Sequence, residues 1–136
     1  MAAPDPSRGL TLIETCVVLA VAAILAAVAW PSQRAQLERA RRLDGTLALT
    51  RLQIAQEQYR MRHGRYGGEL SALGPARSPE GYYLLAVADA GVDTVTLIAR
   101  AHPDGPQRGD RECHELSLRL DQGLSDAGPS GRCWSR

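Results

Sequence analysis

The sequence has 136 residues, which is enough for one modest domain and little else. Its sixteen basic and fifteen acidic residues leave a net charge of +1, and a balance this close to neutral identifies no partner by itself. The distribution says more, because residues 33–65 carry eight Arg against three acidic residues, whereas residues 66–136 carry seven Arg against ten. A predicted helix is therefore basic, and the part of the chain that follows it is mildly acidic.

Residues 1–9 are polar and contain proline, and a long apolar run follows them. This run, Leu10–Trp30, has 21 residues, and Glu14 is its only charged residue. As a helix it would be about 31 Å long, close to the roughly 30 Å hydrocarbon thickness of a bilayer, so it predicts a transmembrane segment. A secretory signal peptide is the alternative, because residues 26–29 (Ala-Ala-Val-Ala) have the small side chains of a cleavage site.

A second helical pattern follows Pro31, where a kink in a continuous helix is expected. An apolar stripe recurs at steps of three and four residues, and a polar face lies opposite it. A helix from Leu10 to about His63, with Gly64 as its stop, would have 54 residues, and its first half would need lipid or neighbouring copies to cover it. The stripe contains Ala40, Leu43, Leu47, Ala48, Leu52, Ala55 and Tyr59, and the polar face contains Arg42, Thr46, Thr50, Gln53, Glu57 and Arg60.

The remainder of the chain predicts a small antiparallel sheet. Residues 64–81 are rich in Gly, Pro and Ser and form a loop with a helical turn at Glu69–Leu73. Two runs rich in apolar and β-branched residues, Tyr82–Ala88 and Val92–Ala101, are separated by three residues that contain Gly, which is typical of a hairpin. Glu115–Leu120 alternates polar and apolar residues and predicts a third strand. Three or so strands packed on the apolar stripe of the helix make an α+β fold.

The three cysteines lie in two different settings. Cys16 is within the apolar run, where a small membrane-compatible side chain is the simple interpretation and a disulfide between subunits is the alternative. Cys113 and Cys133 are in polar surroundings beyond that run, which indicates an oxidising compartment and one disulfide. A metal site that combines His102 and His114 with this pair is the competing interpretation. No CxxC or HxxxH spacing supports it, so neither a metal nor any other cofactor is expected.

Glu14 is the residue that constrains function most. An ionised carboxylate inside a membrane segment is costly unless it is paired, so it is a functional residue by default. If the chain were cut after Gly9, the new amine of Leu10 would lie one helical turn from Glu14, and the two could pair within one subunit or between neighbours. Glycine also suits a peptidase site, because it has no side chain to obstruct the scissile bond.

The stretch Arg8–Glu14 (RGLTLIE), followed by the apolar run and Pro31, resembles the class III prepilin signal of the type IV pilin family. The resemblance implies cleavage between Gly9 and Leu10 by a prepilin peptidase. It also implies that Leu10 becomes the methylated N-terminus and that Glu14 forms an assembly salt bridge. The family usually has Phe where this sequence has Leu10.

The same resemblance divides the chain into parts and implies a type IV pilin-like fold. Residues 1–9 would be the removed leader, and residues 10–30 the transmembrane and filament-core half of the long N-terminal helix. Residues 31–65 would be the periplasmic half of the helix. Residues 66–136 would form a globular head that packs a small antiparallel sheet on the helix and ends in a disulfide loop over residues 113–133.

Weaker likenesses extend over the rest of the chain and match a minor-pilin subgroup, some of whose members receive DNA-uptake sequences in naturally competent bacteria. The residues are Glu57–Tyr59, His63–Tyr66, Leu70–Gly74, Ala101–Pro103, Gln107, Asp110, Cys113, Leu116–Leu118, Gly123 and Cys133–Trp134. The resemblance implies a minor pilin that serves pilus assembly, twitching motility or adhesion. A DNA-uptake receptor that binds double-stranded DNA and a type II secretion pseudopilin are the alternatives. The candidate DNA contacts are Arg77, Arg108, Arg111, Arg132 and Arg136.

No enzyme is expected, because the sequence has neither a phosphate-binding Gly loop nor a GxSxG motif, and its three histidines lie in ordinary contexts. The expected partners are other pilin subunits, a prepilin peptidase and the inner-membrane pilus assembly machinery, with DNA as the alternative. The helix should cross the bacterial inner membrane once, with the head in the periplasm, before the subunit enters an extracellular filament. The positive-inside rule would leave residues 34–42 in the cytoplasm, and the family topology and the cysteine pair outweigh it.

Overall fold

The computed structural model describes residues 11–134, with the side chains of residues 30–32 outside that description. The chain forms two compact units, one ending at Gln36 and the other comprising Leu37–Arg136. Three short 3₁₀ turns accompany the helix and strands. Within the described range the helix is α1 (Leu12–His63), the strands are β1 (Tyr83–Ala88), β2 (Thr94–Ala101), β3 (Glu115–Asp121) and β4 (Leu124–Gly128), and the turns are Leu70–Ala72, Pro106–Gly109 and Gly131–Trp134.

The long helix ends where the sequence predicted. Gly64 follows its last residue with a φ of 70°, and the backbone N–H of Gly64 donates to the carbonyl of Arg60 at 2.8 Å. Glycine adopts this left-handed conformation at little cost, which makes it a common helix stop. Pro31 lies within α1, so it does not end the helix. The kink expected at Pro31 stays a prediction.

The four strands form one antiparallel sheet in the order β1-β2-β3-β4. The three predicted strands are present, and the 3₁₀ turn Leu70–Ala72 lies at the expected helical turn. The strand that the sequence did not reveal is β4, which follows a two-residue turn with positive φ at Gln122 (50°) and Gly123 (87°). Positive φ at both positions is the geometry of a tight hairpin turn. Most of β4 is exposed, so it lacks the alternation that marks a half-buried strand.

The buried face of α1 differs from the predicted apolar stripe. Ala48 and Leu52 are buried as expected, but Leu43 and Leu47 are 56% and 48% exposed. Arg42, which we expected on the polar face, is buried. The apolar periodicity was misleading here because the inner face of the helix also carries polar side chains, and each of these has hydrogen-bond partners in the head.

Two of these helix side chains hold the connecting loop (residues 64–82). The amide of Gln56 binds both backbone groups of Gly67: its nitrogen donates to the carbonyl, and its oxygen accepts from the N–H, each at 2.8 Å. Asp44 accepts from the hydroxyl of Ser78 at 2.5 Å and from the backbone N–H of Glu80 at 2.9 Å. The loop is therefore fixed to the helix near both of its ends.

The sheet approaches α1 closely at Gly45. A Cβ atom at this position would lie 2.9 Å from a side-chain carbon of Leu116 and 2.9 Å from a ring carbon of Tyr83. Both neighbours are fully buried and have little room to move. Gly45 is thus a glycine inside a helix that the packing requires, although glycine costs about 1 kcal/mol relative to alanine in a helix interior.

We expect Gly45→Ala to destabilise the head by about 1–2 kcal/mol, because overpacking of about 1–3 kcal/mol exceeds the gain in helix propensity. Thermal unfolding of the full chain in detergent, followed by circular dichroism, measures the effect as a lower Tm. Gly74→Ala is the matched control, since a Cβ at Gly74 meets no atom within 4 Å. Equal melting of the two variants would contradict the close packing described at Gly45.

Candidate functional site

The first candidate site is the apolar start of α1. Its residues are apolar enough, and the helix long enough, to cross a membrane, and the described side chains of this segment are exposed. Glu14 is its only charged residue. The exposed large apolar side chains are Leu12, Ile13, Val17, Val18, Leu19, Val21, Ile24, Leu25 and Val28.

The helix begins at a capping sequence that our reading of the sequence missed. The hydroxyl of Thr11 accepts a hydrogen bond from the backbone N–H of Glu14 at 3.3 Å, and Glu14 lies in the first turn. Thr followed three residues later by Glu is the capping-box pattern, and a carboxylate in the first turn interacts favourably with the helix dipole. Gly9 and Leu10, the predicted cleavage site, lie outside the described residues.

The second candidate site is the C-terminal end of the head, which a disulfide closes. Cys113 and Cys133 are bonded to each other, with their Cα atoms 5.5 Å apart, as the sequence predicted. Both sulfur atoms are therefore unavailable to the competing metal site. Within residues 11–134, no three His, Cys, Asp or Glu side chains are grouped so that they could hold a metal ion. Cys16 is a free, exposed cysteine.

A buried ion pair connects this end of the head to α1. The guanidinium of Arg42 donates two hydrogen bonds to the carboxylate of Asp110, at 2.5 and 2.8 Å. The same carboxylate accepts from the amide of Gln107 at 2.7 Å and from the backbone N–H of Cys113 at 3.3 Å. Gln107 also donates to the backbone carbonyl of Glu38 at 3.2 Å. The helix thus contacts the segment that carries the first disulfide cysteine.

Three side chains of the second unit, those of Arg42, Tyr83 and Tyr66, have raised pKa values. The hydrogen bond that Arg42 donates to Asp110 raises the pKa of Arg42 above its ordinary value, although burial opposes this. Burial raises the pKa of Tyr83 to about 12. Burial also raises the pKa of Tyr66, whose hydroxyl donates to Glu57 at 2.9 Å. At neutral pH, Arg42 is therefore cationic and both phenols are neutral.

The structure brings some of the candidate DNA contacts together and separates another. Arg111 precedes Cys113 by two residues and Arg132 directly precedes Cys133, so the disulfide joins their two segments. Arg108 lies in the 3₁₀ turn Pro106–Gly109, and all three arginines are exposed. The backbone of Arg77 forms an isolated antiparallel bridge with Leu84 of β1, and β1 is at the opposite edge of the sheet from β4. Arg136 lies outside the described residues.

A shallow depression of about 660 Å³ lies beside the disulfide. Arg132 contributes a positive charge to its lining, and Glu112 contributes a negative one. The indole N–H of Trp134 donates to the carbonyl of Gly128 at 2.8 Å, which fixes the last described turn next to β4. The depression is therefore bounded by a rigid backbone, but its charge is mixed rather than uniformly positive.

Comparison with known proteins agrees with this architecture. A family model described as type IV minor pilin ComP, DNA uptake sequence receptor, matches residues 31–117. A fimbrial protein of Neisseria meningitidis serogroup B is 35% identical over 82 residues, which are 59% of this chain and 48% of that protein. The type IV major pilin protein PilE1 of Neisseria gonorrhoeae is 32% identical over 96 residues, which are 68% of this chain and 58% of that protein. The chain spans about half the length of the curated relatives it matches.

A long N-terminal helix, a small antiparallel sheet and a C-terminal disulfide together define a type IV pilin, anchored in a membrane by its apolar helix. Within that class, the chain belongs to the family of the type IV minor pilin ComP, DNA uptake sequence receptor. The match favours a pilus subunit over a type II secretion pseudopilin. Pilins are structural subunits, and their family is not known as enzymatic.

The buried ion pair gives a test of how the head is held to the helix. Asp110→Asn keeps the shape of the side chain but leaves the Arg42 guanidinium buried without its counter-charge, which we expect to cost about 3–5 kcal/mol. The matched control is Glu115→Gln, which removes the exposed partner of Arg100 and should cost about 1 kcal/mol or less. Thermal unfolding of both variants measures the difference in stability. Similar losses of stability in the two variants would contradict a large contribution from the pair between Arg42 and Asp110.

Proposed function

We propose that this minor pilin is a filament subunit whose apolar helix start serves first as a membrane anchor and then as a packing surface inside the pilus. The observation that carries the proposal is the exposure of the apolar side chains between Leu12 and Val28. Because these apolar side chains are exposed, lipid or neighbouring subunits are needed to exclude water from them. Other pilin subunits are the proposed partners, and pilus assembly with twitching motility or adhesion is the proposed role.

Maturation is the second part of the proposal. A prepilin peptidase would cut between Gly9 and Leu10, and the new N-terminus at Leu10 would be methylated. The subunit would wait in the inner membrane with its head in the periplasm, where the inner-membrane assembly machinery takes it up. The disulfide between Cys113 and Cys133 supports this location of the head, because structural disulfides form and persist in oxidising compartments.

Glu14 would then pair with the Leu10 amine of a neighbouring subunit. A carboxylate transferred into an apolar bundle loses its hydration, and pairing with a cation compensates for that loss. The hydrogen bond between Thr11 and the backbone of Glu14 holds the helix start in a regular geometry, so the carboxylate is presented at a fixed height along the helix. The pair would therefore set the register between subunits.

We expect Glu14→Val to give a chain that is inserted, folded and cleaved, yet poorly incorporated into filaments. Removing one side of a buried pair costs about 3–5 kcal/mol, and only the assembled state contains the pair. Sheared filaments and membrane fractions are compared by immunoblot, and intact mass reports whether each chain begins at Leu10. Thr15→Val is the matched control, because it removes a neighbouring polar group without a charge. Equal incorporation of Glu14→Val and wild type would show that Glu14 has no role in assembly.

A second function, reception of double-stranded DNA, is favoured by the match to a family of DNA uptake sequence receptors and by the exposed arginines beside the disulfide. Arg108, Arg111 and Arg132 would contact phosphates, which dominate the affinity of proteins for DNA. Glu112 lies in the same depression as Arg132 and would oppose the approach of a phosphate. Arg77 is the least favoured of the original candidates, because it lies at the other edge of the sheet.

We expect Arg111→Gln and Arg132→Gln each to weaken binding of a DNA duplex and to reduce the slope of log K against log salt concentration by about 1, the value for one lost phosphate contact. Glu112→Gln should strengthen binding, because it removes a repulsive charge. Fluorescence anisotropy of the full chain in detergent, between about 50 and 200 mM salt, measures all three. Arg77→Gln is the control and should leave affinity unchanged. Equal losses from Arg77→Gln and Arg111→Gln would refute a DNA surface at the disulfide.

A further inference from the structure

Two exposed apolar side chains lie at the turn end of the sheet. Val92, in the turn between β1 and β2, is 62% exposed, and Leu124, at the start of β4, is 78% exposed. The two turns are joined, because the backbone N–H of Gln122 donates to the carbonyl of Asp93 at 2.9 Å. Two large apolar side chains exposed at the same end of one sheet provide an apolar surface that a partner would cover.

Two acidic residues lie at the same end of the sheet as these two side chains. Asp89 follows β1 and Asp121 ends β3, and both are exposed. Within the described residues, neither forms an ion pair. Asp93, the last residue of the turn between β1 and β2, is paired with Arg60 at 3.1 Å. We define the turn-end patch as Val92 and Leu124 together with Asp89 and Asp121. It is an apolar projection with unneutralised negative charge at its border.

A groove of opposite character lies elsewhere on the head, between α1 and the connecting loop. It has a volume of about 410 Å³, and we call it the β1-edge groove. Two guanidinium groups, those of Arg51 and Arg77, lie at it, and neither forms a hydrogen bond or ion pair through its side chain within the described part of the chain. The other lining residues are Ala48, Leu52, Leu73, Gly74, Pro75, Ser78, Pro79 and Leu85.

The two surfaces complement each other in both chemistry and charge. The patch offers apolar side chains with carboxylates at the same end of the sheet, and the groove offers apolar walls with two arginines that have no side-chain partner among residues 11–134. Arginine forms bidentate contacts with carboxylates, which fix the orientation of a partner as well as attract it. We propose that the turn-end patch of one copy of this chain inserts into the β1-edge groove of a second copy, with Asp121 directed to Arg77.

The positions of the two surfaces determine what such a contact builds. The patch lies at the turn end of the strands, whereas the groove lies beside the outer edge of β1, where Arg77 pairs with Leu84. Each copy that inserts its patch into a neighbour keeps its own groove open for another copy. A head-to-tail contact of this kind is heterologous and generates an open helical series rather than a closed dimer. The inference deepens the proposed function, because it assigns the contact between heads of neighbouring subunits.

The test uses the full chain in liposomes, with Cys16→Ala to remove the free thiol. Leu124→Cys introduces a thiol in the patch, and Pro75→Cys introduces one at the groove. We expect mild oxidation of the doubly substituted chain to give a ladder of trimers and longer species on a non-reducing gel. Pro75→Cys combined with Pro103→Cys, an exposed residue outside both surfaces, is the matched control and should give no ladder.

Charge exchange then tests the pairing itself. In the Leu124→Cys, Pro75→Cys chain, Arg77→Glu or Asp121→Arg should each lower the cross-linked fraction about tenfold, because like charges would meet. The two changes together should restore it to within about twofold of the starting chain. Arg111→Glu, on the disulfide side, should have no effect. Formation of the Cys113–Cys133 bond in each variant shows that its head is folded.

The outcomes separate this contact from the proposed pilus function. A closed dimer as the longest product, the absence of a ladder, or a ladder that survives Arg77→Glu would each overturn the proposal. The liposomes contain no other pilus protein, so the result does not depend on cleavage after Gly9 or on Glu14. Incorporation into filaments is measured separately with Glu14→Val, and a failure there would leave a charge-dependent ladder intact.

Discussion

The buried pair between Arg42 and Asp110 is the interaction on which the arrangement of the head depends. It joins two residues 68 positions apart in the chain, and the Asp110 carboxylate also binds Gln107 and the backbone of Cys113. A buried guanidinium is tolerated only when its hydrogen bonds and its charge are both satisfied. Formation of this pair therefore requires that the helix and the segment before β3, which carries Cys113, reach their final positions together.

Much of this architecture could be predicted from the sequence, because it depends on local patterns. The helix stop at Gly64, the hairpin of β1 and β2 and the partnership of Cys113 with Cys133 each follow from residue type and context. The inner face of α1 could not be predicted in the same way. The local sequence pattern places Arg42 on the solvent-facing side of the helix, and nothing in the sequence near Arg42 indicates Asp110 as its ion-pair partner. The last strand was missed because it is short and exposed, although Gln122-Gly123 was a usable turn signal.

The proposed activities use different parts of the head. The arginines beside the disulfide lie near β4, whereas the β1-edge groove lies at the other edge of the sheet. A subunit that contacts a neighbour through the groove would therefore keep its disulfide end accessible to DNA. The head as a whole is mildly acidic, and Glu112 lies in the same depression as Arg132.

The way in which α1 holds the connecting loop has a consequence for how the protein changes over evolution. Gln56 binds the backbone of Gly67, and Asp44 binds Ser78 and the backbone of Glu80, so both loop anchors are supplied by the helix. Leu70 and Leu73 in this stretch pack against the core, but an exposed residue such as Pro75 can be replaced without loss of either attachment. Because Pro75 lines the β1-edge groove, the proposed contact between heads implies that a substitution there alters which neighbours a subunit accepts, while the attachments of the loop stay the same. The sequence of the loop can therefore change, and with it the choice of neighbouring subunit, while α1 keeps the same attachments to the loop.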